Sequence, residues 1–374
     1  SNGFNLGDSI MAKVKIQGNA SGTGVLTVTA PNTSTDRTIT LPDSSGTILD
    51  NTSTLDATKL SGDLPAISAA SLTNVPKDVT VGGRKNILIN GGFEIAQRGT
   101  TISGIGSAKY TLDRWNAISS GADSTVTQVS GATYPKALRL TGAGSTSGTY
   151  LQQKIESTNS RHLAGQTATF SVYLRASTAI NIEFSIKYAT SADNFGGTTS
   201  IASTTFNVTT TDTKFTWTGS IPSAATTGIQ VQLNISSQGS AWYEASNAQL
   251  EVGSTATDFE HRSFGEELAL CQRYYQKLSQ NVLGMGRGDG SAGLHCSIPT
   301  PVDMRASPTM QSTVSVIAYS HTSASVVGSS GVTNPTRRDG GHITFTLANL
   351  SGMNDDRVGL FKVQGVPFDF DAEL

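Results

Sequence analysis

From Met11 to about Glu260, apolar and polar residues alternate with a period of two, as in strands that bury one face. The clearest rows are Ile180, Ile182, Phe184 and Ile186 against Asn181, Glu183, Ser185 and Lys187, and Ile229, Val231, Leu233 and Ile235 against Gln230, Gln232 and Asn234. Phe170, Val172 and Leu174 form a third row. Turn-rich stretches such as SADNFGGTTS separate the rows at the spacing of an antiparallel sandwich. The pattern predicts an all-β, multidomain chain whose central region, 86–262, is an antiparallel β-sandwich.

On either side the pattern changes. Residues 27–34 and 38–45, TVTAPNTS and TITLPDSS, are near-copies, each a short Thr-rich strand closed by a proline and a turn. Two such strands alone are marginal, so 11–50 is expected to be a small attachment module whose core comes from partner chains or a larger particle. Residues 51–85 place Leu55, Leu60, Leu64, Ile67, Leu72 and Val75 without a regular period. That segment is either a linker or a shaft that packs only against copies of itself.

After the sandwich, SFGEELALCQRYYQKLSQ predicts a helix over 263–280, with Ser263 as N-cap and Glu266 completing a capping box. Phe264, Leu268, Cys271, Tyr275 and Leu278 fall along one stripe. The stripe suits either packing on a neighbouring sheet or a seam between identical chains. VSVIAYS, HITFTLANL and GLFKVQGV then predict a smaller distal β-domain over 281–374. Residues 1–10, SNGFNLGDSI, are set aside as a leader or cloning remnant.

Composition narrows the partners. Charged residues make up 14% of the chain, against about 25% in an average globular protein, and there are 39 glycines. The surface is therefore polar through hydroxyls and amides. With 26 basic and 28 acidic residues the net charge is −2, and no basic stripe appears, which argues against nucleic acid and anionic membranes. No apolar run approaches the roughly 18 residues of a membrane span, and no signal-peptide pattern is present, so a soluble chain is expected. Cys271 and Cys296 lack zinc-ligand spacing and are expected to be free thiols from a reducing compartment.

No catalytic constellation emerges. His162, His261, His295, His321 and His342 are scattered, without HxH or HExxH pairing. His295 and Cys296 are adjacent, and strand neighbours point to opposite faces, which makes them a poor dyad. The pairs Glu266–Glu267 and Asp355–Asp356 read as solvated surface, where a glycosidase needs carboxylates facing across a cleft. The RGD triplet at 287–289 reads as an ordinary glycine-rich turn. The chain is expected to be no enzyme and to need no cofactor.

Aromatic residues remain as binding candidates, because a flat ring stacks on the apolar face of a pyranose while nearby polar groups read its hydroxyls. Trp115, Tyr134, Trp217 and Trp242 are the candidates, though most large aromatics end in a core. Phe215 and Trp217 share one strand face, and Tyr243 lies opposite Trp242.

Together these segments resemble tail fibres and receptor-binding proteins of tailed bacteriophages. MAKVKIQGNASGTGVLTVTAPNTSTDRTITLPDSSGTILDN resembles the start of such fibres, and LDATKLSGDLPAI with LTNVP their low-complexity shaft. KNILINGGFEIAQRG, YTLDRW, RHLAGQTATFSVYLRAS and AQLEVGSTATDFEHR are similar to the jelly-roll module of these fibres, itself similar to carbohydrate-binding jelly rolls. CQRYYQKL, MRASPT and FDAEL resemble their C-terminal part.

The resemblance implies a homotrimer held to other virion proteins near its N-terminus, with a distal end that meets host surface glycan without catalysis or membrane insertion. It implies a virion fibre made in the bacterial host cytoplasm. A collar, neck or head fibre without receptor role is the alternative; a glycan depolymerase or esterase is a third. Carbohydrate-binding jelly rolls often hold Ca²⁺ through a Glu after an N-G-x-F turn and an Asp on the last strand. Glu94 matches the first, but Asn247 and Ala248 stand where the second would be, so no metal site is expected beyond that weak match.

Overall fold

A computed structural model describes residues 21–23, 34–36, 84–278, 283–288, 293–310, 315–320, 323–326, 331–338, 341–348, 358–364 and 368–374. The Thr-rich repeat, apart from Ser34, and the proposed shaft over 51–83 lie outside the described residues. The chain divides into two units, Ser1–Thr73 and Asn74–Leu374, and every described strand belongs to the second.

Twelve strands build the sandwich: β1 (Thr101–Ile105), β2 (Lys109–Tyr110), β3 (Asn116–Gly121), β4 (Ser124–Val129), β5 (Ala137–Thr141), β6 (Thr146–Ile155), β7 (Thr167–Ala176), β8 (Ile180–Ser191), β9 (Asn194–Val208), β10 (Thr213–Ser220), β11 (Ile229–Ile235) and β12 (Trp242–Val252). They form two six-stranded antiparallel sheets, ordered β1-β4-β5-β12-β7-β10 and β2-β3-β6-β11-β8-β9. The alternation read from sequence sets which side chains meet. Phe170, Val172 and Leu174 face Ile182, Phe184 and Ile186 in one core, where the Phe170 and Phe184 rings stack 4.3 Å apart at 10°. Burying each such side chain stabilises the fold by about 1.5–3 kcal/mol.

The INGGFE segment locks onto the last strand. The Asn86 carboxamide spans from its own turn to Ala248 O and Leu250 N, and Ala248 N donates to Gly91 O at 2.9 Å. A Cβ on Gly91 would stand 2.1 Å from Ala248 O, so only glycine permits this approach. Asn90 and Phe93 take positive φ values of 57° each, and Asn90 ties the turn together through Ile95 and Asp113 O.

One helical turn, α1 (Ser157–Ser160), precedes β7, and the main helix is α2 (Phe264–Gln272). Ser263 Oγ accepts from Glu266 N as the sequence predicts. The helix is shorter than expected: Tyr275–Leu278 is strand β13, so Tyr275 and Leu278 leave the helical stripe. The cause is a distant partner, since β13 pairs with β22 (Phe368–Asp371), about a hundred residues on. The five stripe residues therefore part company. Phe264 is 60% exposed, Cys271 is buried with Ile89, Ile95 and Tyr274, Leu268 packs on that cluster, Tyr275 is buried, and Leu278 packs on the distal core. A single five-residue seam is thus replaced by a helix seated on the sandwich.

Beyond it, β14 (Leu283–Gly288), β15 (Leu294–Pro299), β16 (Thr309–Met310), β17 (Ser315–Ser320), β18 (Ser323–Val326), β19 (Gly331–Arg338), β20 (His342–Ala348) and β21 (Val358–Gln364) complete the chain. Seven of these form one sheet, ordered β18-β17-β21-β14-β15-β20-β19, while β13-β22-β16 form a small sheet. Leu294, Cys296, Ile298, Ile343, Phe345 and Leu347 alternate inward against Phe370 and Met304. The fold is all-β, as the sequence predicts.

Candidate functional site

The outer face of the first sheet carries an unusual density of polar side chains. On β12 the bonds alternate, so Tyr243, Ala245 and Leu250 fill the core while Trp242, Glu244 and Ser246 face out. Register then places Glu244 directly between Arg139 of β5 and Arg175 of β7. Arg139 donates through Nε at 2.9 Å and Nη2 at 2.5 Å to Oε1, and Arg175 donates through Nε at 2.6 Å to Oε2. Glu244 is 3% exposed, a carboxylate affordable there because two guanidiniums hold it. The same two arginines lie 4.4 and 5.5 Å from the centre of the half-buried Trp242 ring.

Further along, β12 bulges between Ser246 and Gln249, and Asn247 takes φ 48° within the bulge. A bulge re-aims a side chain. It brings Asn247 to a cavity of about 240 Å³ whose walls include Tyr134, Tyr173, Lys214, Phe259 and His261. The Tyr134 and Tyr173 rings meet edge to face at 4.8 Å. Burial, the neighbouring Tyr173 and the Asp212 charge push the Tyr134 hydroxyl up to about 12, so it stays protonated at neutral pH. At the strand's far end Glu251 accepts from Thr257 N, Thr257 Oγ1 and Gln249 Nε2. Ser246 lies roughly 13 Å from Trp242, four residues at about 3.3 Å each.

The four aromatic candidates separate on this geometry. Trp242 and Tyr134 stand on the outer face, at its two ends. Trp115 is corrected: it is 2% exposed, packs 5.0 Å from Phe93, and spends its Nε1 on Asn90 O. Trp217 is also corrected, since it turns inward with Phe215 and its ring lies 5.6 Å from Phe184. Arg139, Arg175, Glu244, Tyr173 and Asn247 were missed by sequence reasoning. Their polar parity on predicted strands was visible; their pairing across strands was not.

Other candidates resolve simply. Glu94 is exposed, and among the described residues no group of three His, Cys, Asp or Glu side chains is placed to hold a metal ion. His295 is exposed with Nδ1 3.0 Å from Thr346 Oγ1, while Cys296 is buried on the opposite side. Glu266 pairs with Arg84, whereas Glu267 binds Arg262 and Asn90 N, so the two carboxylates serve different partners. Arg287 and Gly288 end β14, and the Asp289 of the RGD triplet lies outside the described residues.

No family model matches this chain, and no curated protein sequence matches it. Among solved structures it is similar to the enzymatically active domain of tailspike protein 4 of bacteriophage CBA120, at 15% identity and a TM-score of 0.33, covering 45% of this chain and 21% of that one. It is similar to a carbohydrate-binding module of family 4, at 18% identity and a TM-score of 0.30, covering 44% of this chain and 97% of that one. A sugar-binding protein, so described provisionally, from Bacteroides thetaiotaomicron is similar at 16% identity and a TM-score of 0.33, covering 45% of this chain and 100% of that one. The chain thus spans about a fifth of the tailspike domain's length.

Proposed function

We propose that this protein binds glycan without catalysis, through the outer face of the β12 sheet, as a fibre on the surface of a phage virion. The observation that carries the glycan reading is the Arg139–Glu244–Arg175 bridge beside the half-buried Trp242 ring. A sugar presents a weakly apolar ring face and a rim of hydroxyls. An indole takes the first; a fixed carboxylate and two guanidiniums, already held in place, accept from and donate to the second. Both carboxylates on this strand are engaged, Glu244 by arginines and Glu251 by Thr257 and Gln249, which suits recognition rather than acid–base work.

The fibre context rests on the order of sequence segments, namely the Thr-rich repeat, shaft, jelly roll and distal domain. In that context three chains join through the N-terminal region, and three weak sugar sites gain avidity on one host surface. The test is retention of the full chain on immobilised bacterial surface polysaccharides, with its mass in solution measured alongside. Retention without release of reducing ends, by a trimer, supports the proposal. Failure to hold any polysaccharide sinks the glycan reading, and release of reducing ends sinks the non-catalytic one.

A further inference from the structure

The cavity at the far end of the same face carries a more specific message. Asn247 is 4% exposed, yet its Nδ2 has no hydrogen-bond partner, although the Tyr134 hydroxyl is near. A buried amide donor left unmade costs roughly 1–3 kcal/mol. The chain tolerates this cost in a bulge where Asn247 takes a positive φ, the same bulge that turns Ala248 toward Gly91 and Asn86. Tyr134 and Tyr173, edge to face, and Phe259 with His261, also edge to face at 4.9 Å, give the cavity aromatic walls.

Resting on the glycan reading above, we propose that this cavity is a subsite for a sugar unit bearing an acetamido group. The carboxamide of Asn247 offers one donor and one acceptor side by side, and an acetamido group offers the complementary C=O and N–H. Its methyl then meets the aromatic walls. A plain hydroxyl would satisfy Asn247 Nδ2 but leave those rings facing water. A carboxylate would sit beside Asp258, which lines the cavity, and near Asp212, whose buried Oδ2 is also unpartnered; Lys214 Nζ already gives one of its protons to Thr257 O at 2.9 Å. Neutral amide chemistry fits this balance of charges best.

Chitotriose and cellotriose share one skeleton and differ only in carrying acetamido or hydroxyl groups, which makes them matched probes. Titration calorimetry on the full chain should show chitotriose binding about tenfold tighter. Asn247→Asp keeps a residue that accepts positive φ and removes the donor, so it should erase that preference. Tyr134→Ala, in a loop, should weaken chitotriose by about tenfold while lowering the melting temperature only slightly, through the lost Tyr173 contact. Trp242→Ala should weaken both probes alike. Equal affinity for the two probes in the wild-type chain, or a preference that survives Asn247→Asp, overturns the subsite. If both probes bind equally and both depend on Trp242, the subsite fails and the glycan reading stands; if neither depends on Trp242, that reading fails at this face.

Discussion

Arg114 lies flat against Tyr274, its guanidinium carbon 3.4 Å from the ring centre, and its Nη1 donates to Glu373. All three residues are buried or nearly so, and they belong to the sandwich, the turn after α2 and the segment after β22. Arg98 repeats the arrangement on Tyr275 at 3.6 Å with Asp371 at 3.1 Å. Tyr110 Oη and Lys154 Nζ both donate to Leu374 O, at 2.8 and 2.9 Å. The last residues are thus clamped to the sandwich by stacked cations rather than by apolar packing alone.

Arg114→Met should leave the buried Glu373 carboxylate with only the longer Arg98 contact at 3.4 Å, which costs about 2–4 kcal/mol. Glu373→Gln removes the counter-ion of the buried Arg114, but the guanidinium keeps the amide oxygen, Lys154 O and the Tyr274 ring as partners, so this variant should cost less. Thermal unfolding of the two variants checks the order; equal and small losses would show that the clamp contributes little.

Acid should loosen the same junction through Glu156. Burial alone would raise its carboxyl, but the Arg305 hydrogen bond, the Arg273 charge and the Tyr274 hydroxyl outweigh burial and hold it below the usual carboxylate range. A carboxyl depressed in the folded state adds stability that is fully present above its unfolded value of about 4.3 and is lost as pH falls through the folded value. Stability should therefore drop below about pH 4.3, and Glu156→Gln should flatten that part of the profile. Denaturant unfolding across pH 2.5–7 (a range of about that width suffices) reads the slope; an unchanged slope in the variant contradicts the assignment.

Much of the sandwich was legible because period-two rows need only local sequence. Ile182, Phe184 and Ile186 on β8 face inward as their parity predicts, whereas parity put Phe215 and Trp217 on one face of β10 without saying that this face is the inner one. Trp115 follows a tight turn rather than sitting mid-strand, so parity gave no warning of its burial. The helix was over-extended because Tyr275 and Leu278 fit a heptad as well as a strand, and only β22 decides between them. The binding face was least legible. Glu244 meets Arg139 and Arg175 across 105 and 69 residues of chain, and no local pattern encodes that register.

Gly91→Ala should be far more damaging than Gly92→Ala. A Cβ at Gly91 meets the Ala248 backbone oxygen at 2.1 Å, while one at Gly92 makes ordinary contacts with the Phe259 ring at 3.6 Å and Glu94 Cγ at 3.7 Å. Overpacking of this kind costs about 1–3 kcal/mol, and the displaced oxygen is backbone, which cannot swing aside. Melting temperatures that fall equally would mean that the INGGFE turn does not hold β12.

The central claim is that Trp242 and its arginine–glutamate bridge form the glycan-binding face. Equilibrium binding of the full chain to a retained surface polysaccharide, compared with Trp242→Ala, tests it most directly. The half-buried ring is not part of the core, so the variant should lose only the cation contacts of Arg139 and Arg175, about 0.5–1 kcal/mol, and stay folded. Its affinity should fall about tenfold, the equivalent of about 1.4 kcal/mol for a lost stacking ring. Unchanged affinity in the folded variant would contradict the account.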